Sequence, residues 1–243
     1  MKCPRLYLGQ PLYPGAELEL PADSAGHLRV LRARPGQAVI LFNGDGRDYP
    51  GELLALERRA ARIVLGQPQA NATAPALALT LFQGVSKGDR MDTAIQKAVE
   101  LGVGCIGPVF TERSVVRLDE RRLARRHAHW QGVIVSACEQ CGRAELPLLL
   151  PACDMPALLA DGRTGSCLVL DPTASQGISE LPPPNGGSLD LLVGPEGGLS
   201  DQEVATAREA GWTPLRLGPR VLRTETAGIA ALAAVQALWG DMG

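Results

Sequence analysis

The chain has 243 residues, of which 45% are hydrophobic and 21% charged, with a formal net charge of −2. That length suits one or two compact domains with ample core material. The balanced charge excludes a protein that holds polyanions by bulk charge, and no apolar run approaches the ~18 residues of a membrane span.

The opening stretch MKCPRLYLGQPLYPG has one lysine and no apolar middle, so no secretory signal is expected. Cys3, Cys105, Cys138, Cys141, Cys153 and Cys167 fall in strand-like or helical contexts without a small-scaffold framework. They read as reduced thiols in a cytoplasmic protein. Up to about residue 67, short apolar segments alternate with turn signals. AVILF (38–42) ends at the hairpin-type NGDGR, then YPGELLAL and AARIVLG follow. This predicts a small β-rich domain over 1–70, a barrel or sandwich. SAGHLRVLRARPGQ interrupts it with one or two helical turns, Ser24 being the expected N-cap. QPQANATAP (67–75) is polar, with two prolines and no periodicity, and reads as a linker.

Over 76–243 strands and helices alternate. ALALTLF is a strand, DRMDTAIQKAVELG a helix with Gly102 past its end, and CIGPVF a strand. A long helix follows through Trp130 and Ile134. CLVLD (167–171) and LDLLVG (189–194) are continuous apolar runs, typical of parallel strands covered on both faces. SDQEVATAREAG is a helix with a capping box, Ser200 and Glu203. PLRLG is a last strand, and 226–238 a buried helix whose start Thr224 or Thr226 would cap. The fold class is therefore α/β, a mainly parallel sheet preceded by a smaller β domain.

Basic residues are almost all arginine, with lysine only at Lys2, Lys87 and Lys97. ERSVVRLDERRLARRHAHW (112–130) sets Arg113, Arg117, Arg121, Arg122, Arg125 and Arg126 against three acids. A solvated helix face is the usual reading of such a run, and a nucleic-acid patch is its alternative.

Ligands of open α/β sheets sit at the carboxyl ends of strands. Three such ends are chemically conspicuous: LDPTASQG, VGPEGGLS and LGPRVLRTET. In GPEGG, Gly194, Gly197 and Gly198 let the backbone approach a ligand closely. No lysine accompanies them, which excludes a triphosphate loop. GVGCIG (102–107) follows a helix and precedes a strand, the reverse of the dinucleotide fingerprint. CEQC (138–141) lacks the second pair that zinc needs, so no metal is expected. No G-x-S-x-G elbow is present, and the three histidines lie outside the glycine loops. Glycine amides, a carboxylate and the apolar Leu199, Val221 and Leu222 suit a nucleoside carrying positive charge, such as S-adenosylmethionine.

VGPEGGLSDQEV followed by LGPRVLRTETA resembles the RsmE family of SPOUT methyltransferases. KGDRMDTAIQKAVELGV (87–103), TERSVVR (111–117) and ACEQCGR (137–143) stand in the same order as in that family, and PRLYL and HLRVLRARPGQ look like its PUA-like RNA-binding barrel. The resemblance covers nearly the whole chain. It implies S-adenosylmethionine-dependent methylation of N3 of a uridine in 16S ribosomal RNA of the small subunit. It also implies a SPOUT-type trefoil-knotted domain over 76–243 and a homodimer. The expected cofactor residues are Leu170, Gly194, Pro195, Glu196, Gly197, Gly198, Leu217, Gly218, Val221, Leu222 and Thr226. Arg223 or Arg143 would stabilise charge on the uracil, and Glu225 or Glu196 would accept a proton or orient those arginines. Expected RNA contacts are Arg5, Arg29, Arg32, Lys87, Arg90 and Arg143. Two readings remain beside this one: a methyltransferase of the same fold acting on another RNA base or ribose, and an inert RNA-binding protein.

Overall fold

The computed structural model describes residues 3–114, 119–163 and 165–243. Lys2 and Arg117, the latter closing the motif 111–117, lie outside the described residues. The chain divides into two units, Met1–Ala74 with Cys138–Leu146, and Pro75–Ala137 with Pro147–Gly243.

In the first unit the strands are β1 (Arg5–Tyr7), β2 (Glu17–Leu20), β3 (Ala38–Phe42), β4 (Arg47–Leu56), β5 (Ala61–Leu65) and the short β6 (Gln69–Ala70), with helix α1 at Ala22–Val30. The sheet order is β1-β3-β4-β5-β2, with β6 on β4. The β1–β3 pairing is parallel and the others are antiparallel. The period of two is plain in β5, where Ala61, Ile63 and Leu65 are buried and Arg62 points to solvent. A register shift between Leu53 and Ala55 bends β4. Leu6, Leu28, Val39, Leu41, Leu53 and Ile63 fill the core.

Pro21, not Ser24, occupies the cap position of α1, and no side chain caps the helix. Ser24 lies inside its first turn. Proline fits at such a start because its fixed φ suits the entry and its missing N–H would have no partner there. At the other end Arg32 has φ +57, and the Ala33 amide donates to the Leu28 carbonyl. This closure usually uses glycine, because a β-carbon is strained there. The ACEQCGR motif belongs largely to this unit, which a reading of contiguous segments does not foresee. The Tyr7 amide donates to Glu139 and Asn71 donates to the Gly142 carbonyl.

The second unit holds β7 (Ala78–Gly84), α2 (Asp89–Glu100), β8 (Cys105–Phe110), α3 (Glu120–Cys141) except its end from Cys138, which belongs to the first unit, β9 (Leu148–Leu149), β10 (Cys153–Asp154), α4 (Met155–Ala160), β11 (Ser166–Leu170), β12 (Ser188–Val193), α5 (Asp201–Glu209), β13 (Thr213–Leu215) and α6 (Thr224–Trp239). Its strands run β10-β8-β7-β12-β11-β13 with β9 beside β8, every pairing parallel. Helix α2 buries Met91, Ala94, Ile95, Ala98 and Val99, the i, i+3, i+4 stripe of a helix laid on a core. It packs against α6. There Gln236, 1% exposed, donates to the Leu101 carbonyl that ends α2 and accepts from the Asp241 amide. A buried amide is tolerated because both of its ends are bonded.

The final helix starts at Thr224, with Arg223 at the cap position and no side-chain cap. Neither threonine caps it. The Ser200–Glu203 capping box of α5 is present as expected.

Across the sheet, Arg163 bonds Asp190 at 2.9 Å and stands 4.3 Å over the Phe82 ring. The Asp190 side chain keeps 9% of its surface. Asp190→Ala leaves a half-buried guanidinium without its main partner. It should lower the stability of this unit by about 3 kcal/mol in urea unfolding; a fall under about 0.5 kcal/mol would show the pair to be incidental.

Candidate active site

β12, β11 and β13 are consecutive in the sheet, so the three loops that follow them emerge side by side. The strands before the two Gly–Pro loops are not neighbours, because β11 lies between them. Its own loop, with Asp171, Pro172 and Thr173, completes the arrangement. Between these loops and the start of α6 lies a cavity of about 550 Å³, within the range of small-molecule sites. Apolar Leu170, Val193, Leu199, Leu217 and Leu222 line it together with Glu225 and the arginines Arg90, Arg113, Arg220 and Arg223.

Every expected cofactor residue except Thr226 lines this cavity. Thr226 is exposed, whereas Thr224 is buried. Two residues two apart on a helix differ by about 200°, so only one of them faces the sheet. Of the expected catalytic groups, Arg223 and Glu225 line the cavity and Arg143 does not. Arg143 is 5% exposed within the first unit, so neither base contact nor RNA contact is open to it. Arg5 is also occupied. It grips Asp48 with two bonds of 2.8 and 2.9 Å, donates to the Arg143 carbonyl and stands over Phe42. Arg29 and Arg32 are exposed, as is Lys87, and Arg90 reaches the cavity wall.

The glycine loop is fastened on several sides. Thr224 Oγ1 donates to the Gly194 carbonyl and accepts from Gln83 Nε2 at 2.9 Å. A β-carbon on Gly84 would come within 2.4 Å of the Pro195 nitrogen, so the end of β7 can lie against the loop only as glycine. Glu196 accepts from the Lys87 amide at 2.8 Å and from Arg90 at 3.0 Å. Arg113 donates to the carbonyls of Gly197 and Leu199, both at 3.1 Å. Glu203 accepts from the Ser200 and Glu112 amides. Gly198 has φ +69, a left-handed conformation that favours glycine. Burial pushes the Glu196 carboxyl up, but the amides of Glu196 and Lys87 and the Arg90 guanidinium outweigh it and hold it below the usual carboxylate range. Glu196 is an anion at neutral pH and a clasp of this loop.

The roles of Gln83, Arg113 and Thr224 are not legible in the sequence. Gln83 lies just beyond the expected strand ALALTLF, Arg113 is one of a run, and Thr224 reads as no more than a cap. A polar residue at the end of an apolar strand is the signal that points to Gln83. Glu225 lines the cavity, and its Oε2 is buried without a hydrogen-bond partner. A desolvated, unpaired carboxylate oxygen is costly, and a cationic or N–H-bearing ligand would satisfy it. Glycine backbone, an apolar wall and this acceptor together fit S-adenosylmethionine or another nucleoside with a donor or positive charge.

At CEQC, Cys138 is buried and its thiol is pushed up to about 12 by that burial. Among the described residues no group of three His, Cys, Asp or Glu side chains could hold a metal ion. Of the histidines on α3, His127 meets the Leu150 carbonyl and His129 meets Asp92.

Comparison with known proteins agrees with this geometry. The RNA methyltransferase domain family matches residues 73–236, and the RNA methyltransferase PUA domain family matches 20–66. The ribosomal RNA small subunit methyltransferase E of Buchnera aphidicola (subsp. Schizaphis graminum) is 32% identical over 99% of this chain and 98% of its own length. The protein of that name from Bacillus subtilis is 32% identical, covering 86% and 84%. Among solved structures, a ribosomal RNA small subunit methyltransferase E from Neisseria gonorrhoeae bound to S-adenosyl methionine is 39% identical. It superposes over all of both chains with a TM-score of 0.91. A putative methyltransferase from Legionella pneumophila with bound S-adenosylmethionine is 36% identical, again over both whole chains, with a TM-score of 0.93.

Thr224→Val removes the hydroxyl that serves both Gly194 and Gln83. The Gly194 carbonyl is left without that donor, and Gln83 Nε2 keeps only its longer bond to the Gly84 carbonyl. Stability should fall by about 2 kcal/mol, and Thr224→Ser should restore most of it. Equal destabilisation in the two variants would show that packing, rather than the hydroxyl, fastens the loop.

Proposed function

We propose methyl transfer from S-adenosylmethionine to N3 of a uridine in 16S ribosomal RNA, because the chain belongs to the ribosomal RNA small subunit methyltransferase E family. That family carries the SPOUT-type fold, with the PUA-like domain at the N-terminal side. The observation that carries the assignment of the site is the cavity at the ends of β12, β11 and β13, which combines a glycine-lined wall and apolar residues with Glu225 and Arg223.

S-adenosylmethionine, when bound, supplies an electrophilic methyl group on a positively charged sulfur. The amides around Gly194, Gly197, Gly198 and Leu217 would hold its polar edges, and Leu170, Val193, Leu199 and Leu222 its flat apolar part. Uridine N3 carries a proton and lies between two carbonyls, so it is a weak nucleophile until that proton leaves. Glu225 Oε2 is the acceptor for the proton, since it is desolvated and has no hydrogen-bond partner. Arg223 lines the same cavity and presents a guanidinium to the carbonyl oxygens, where negative charge grows as the proton departs. Glu196 holds the loop and Arg90 in place instead of touching protons. Closing water out of this space keeps the nucleophile in line with the methyl group, on which the rate of a displacement depends.

RNA contacts in the first unit are assigned to Arg29 and Arg32, both exposed, and in the second to Lys87 and Arg90. We read the chain as a homodimer. Val221, at the cavity mouth, is 81% exposed, and Leu238 and Met242 at the end of the chain are 50% and 56% exposed, apolar surface that a second copy would cover. Among the described residues no helix is long and apolar enough to cross a membrane. Ribosomal RNA as substrate assigns the protein to the cytoplasm.

Three measurements test this reading. Tritiated methyl groups from S-adenosylmethionine should appear on one uridine of small-subunit RNA, at N3; label on ribose or on another base would replace the assignment. Arg223→Ala should slow single-turnover methyl transfer by about a hundredfold with cofactor affinity nearly intact, and Arg223→Lys should rescue poorly. Gly198→Val should do the opposite, abolishing cofactor binding in a folded protein, because a β-branched residue resists φ +69. Weakened cofactor binding with a normal chemical step in Arg223→Ala would make that arginine a cofactor residue.

A further inference from the structure

Two sets of arginines among the described residues differ in what they do. Arg5, Arg113 and Arg163 are held by carboxylates or backbone carbonyls and serve the fold. Those of α3 do not. Arg121, Arg122, Arg125 and Arg126 are all exposed. Arg122 forms an ion pair, 3.4 Å from Asp119, with both side chains more than 60% exposed. Such pairs contribute almost nothing to stability. Trp130 and Ile134 are buried and anchor the helix.

At about 100° per residue, the four arginines occupy an arc of about 140° on one side of the helix. Along the axis they cover about 7.5 Å at ~1.5 Å per residue. Within that arc His129 bonds Asp92 at 2.7 Å, so the arginine face adjoins the first turns of α2. Two residues earlier on α2 stands Arg90, which lines the cavity. Arg90 at the cavity wall, where it pairs with Glu196, and the four arginines of α3 thus stand on two helices joined by the His129–Asp92 bond. They do so on a chain whose net charge is −2, where this concentration does not follow from composition.

We infer that the outer face of α3 is a docking surface for the phosphate backbone of the RNA substrate next to the target base. The inference rests on the RNA substrate proposed above. The charge is of the right sign, only Arg122 has an acidic partner and that pair is exposed, and α3 bonds the helix whose Arg90 lines the cavity. Guanidinium groups also match phosphate in shape, giving two parallel hydrogen bonds each. No base-reading geometry is needed. Phosphate binding here positions the strand and leaves recognition of the sequence to other surfaces.

The test is the variant carrying Arg121→Gln, Arg122→Gln, Arg125→Gln and Arg126→Gln in the full chain. Binding of small-subunit RNA is measured across a salt series, beside S-adenosylmethionine affinity and single-turnover methylation at saturating RNA. RNA affinity should fall about tenfold or more at low salt. The slope of log affinity against log salt should become shallower by roughly 0.7 to 0.9 for each phosphate no longer bound. Cofactor affinity and the chemical step at saturation should stay within about twofold, since these side chains touch neither. The same four positions as lysine should keep most of the affinity, because phosphate accepts either cation. If the fourfold variant does not fold, Arg125→Gln and Arg126→Gln singly should each still lower the salt slope. Unchanged affinity and slope in a folded variant, with wild type binding and methylating RNA, would overturn the surface alone. A wild type that neither binds nor methylates RNA would overturn the proposed function with it. A defect seen only on assembled subunits, with naked RNA unaffected, would overturn it in favour of a protein contact.

Discussion

The glycine-rich loop after β12 is the constraint on which the rest of the site depends. A backbone with three glycines has little intrinsic preference for one shape, and its ordering costs more conformational entropy than other sequences. Here the shape is imposed from outside. Thr224 holds Gly194, Glu196 is tied to the loop before α2, Arg113 holds the carbonyls of Gly197 and Leu199, and Glu203 joins Glu112 to the start of α5. These bonds fix the loop around the cavity that its residues line.

The parallel sheet explains why three loops meet there at all. Parallel strands point their carboxyl ends the same way, and β12, β11 and β13 are adjacent, so their following segments share one edge of the unit. The helix that closes the cavity, α6, carries Glu225 in its first turn and is anchored far from it by Gln236. Both ends of α6 are therefore fixed, while Glu225 lines the cavity and its Oε2 is buried without a partner. An unpaired acceptor in an otherwise well-bonded region is the mark of a place shaped for something else.

Arginine serves two unlike purposes in this chain. Where it is held by the fold, as at Arg5, Arg113 and Arg163, its fixed fork joins two or more acceptors at once, and at Arg5 and Arg163 its flat face covers an aromatic ring. Where it is exposed, on α3, it offers the same fork to solvent. Composition does not separate these roles, since both read as arginine in a run of polar residues. The acceptors each guanidinium finds in the folded chain separate them.

Much of the architecture follows from local pattern alone. The change from short alternating segments to continuous apolar runs separates the β-rich part from the α/β part, and runs such as CIGPVF and LDLLVG form strands within a residue of their expected bounds. Local backbone chemistry places Gly198 in a left-handed turn and Ser200 at a helix cap. The ordered motifs are enough to point to the family. Other facts need the folded chain. That β11 lies between β12 and β13, that Cys138–Leu146 folds with the first unit, and that Arg143 is buried there depend on which distant segments pair. The same holds for Thr224 over Thr226, and for Glu196 as clasp of the loop. The physical reason is range: helix periodicity, strand alternation and turn chemistry act over a few residues and are written in order along the chain. Which partner a carboxylate, hydroxyl or guanidinium finds is decided across long stretches of chain, by packing that only the tertiary structure contains.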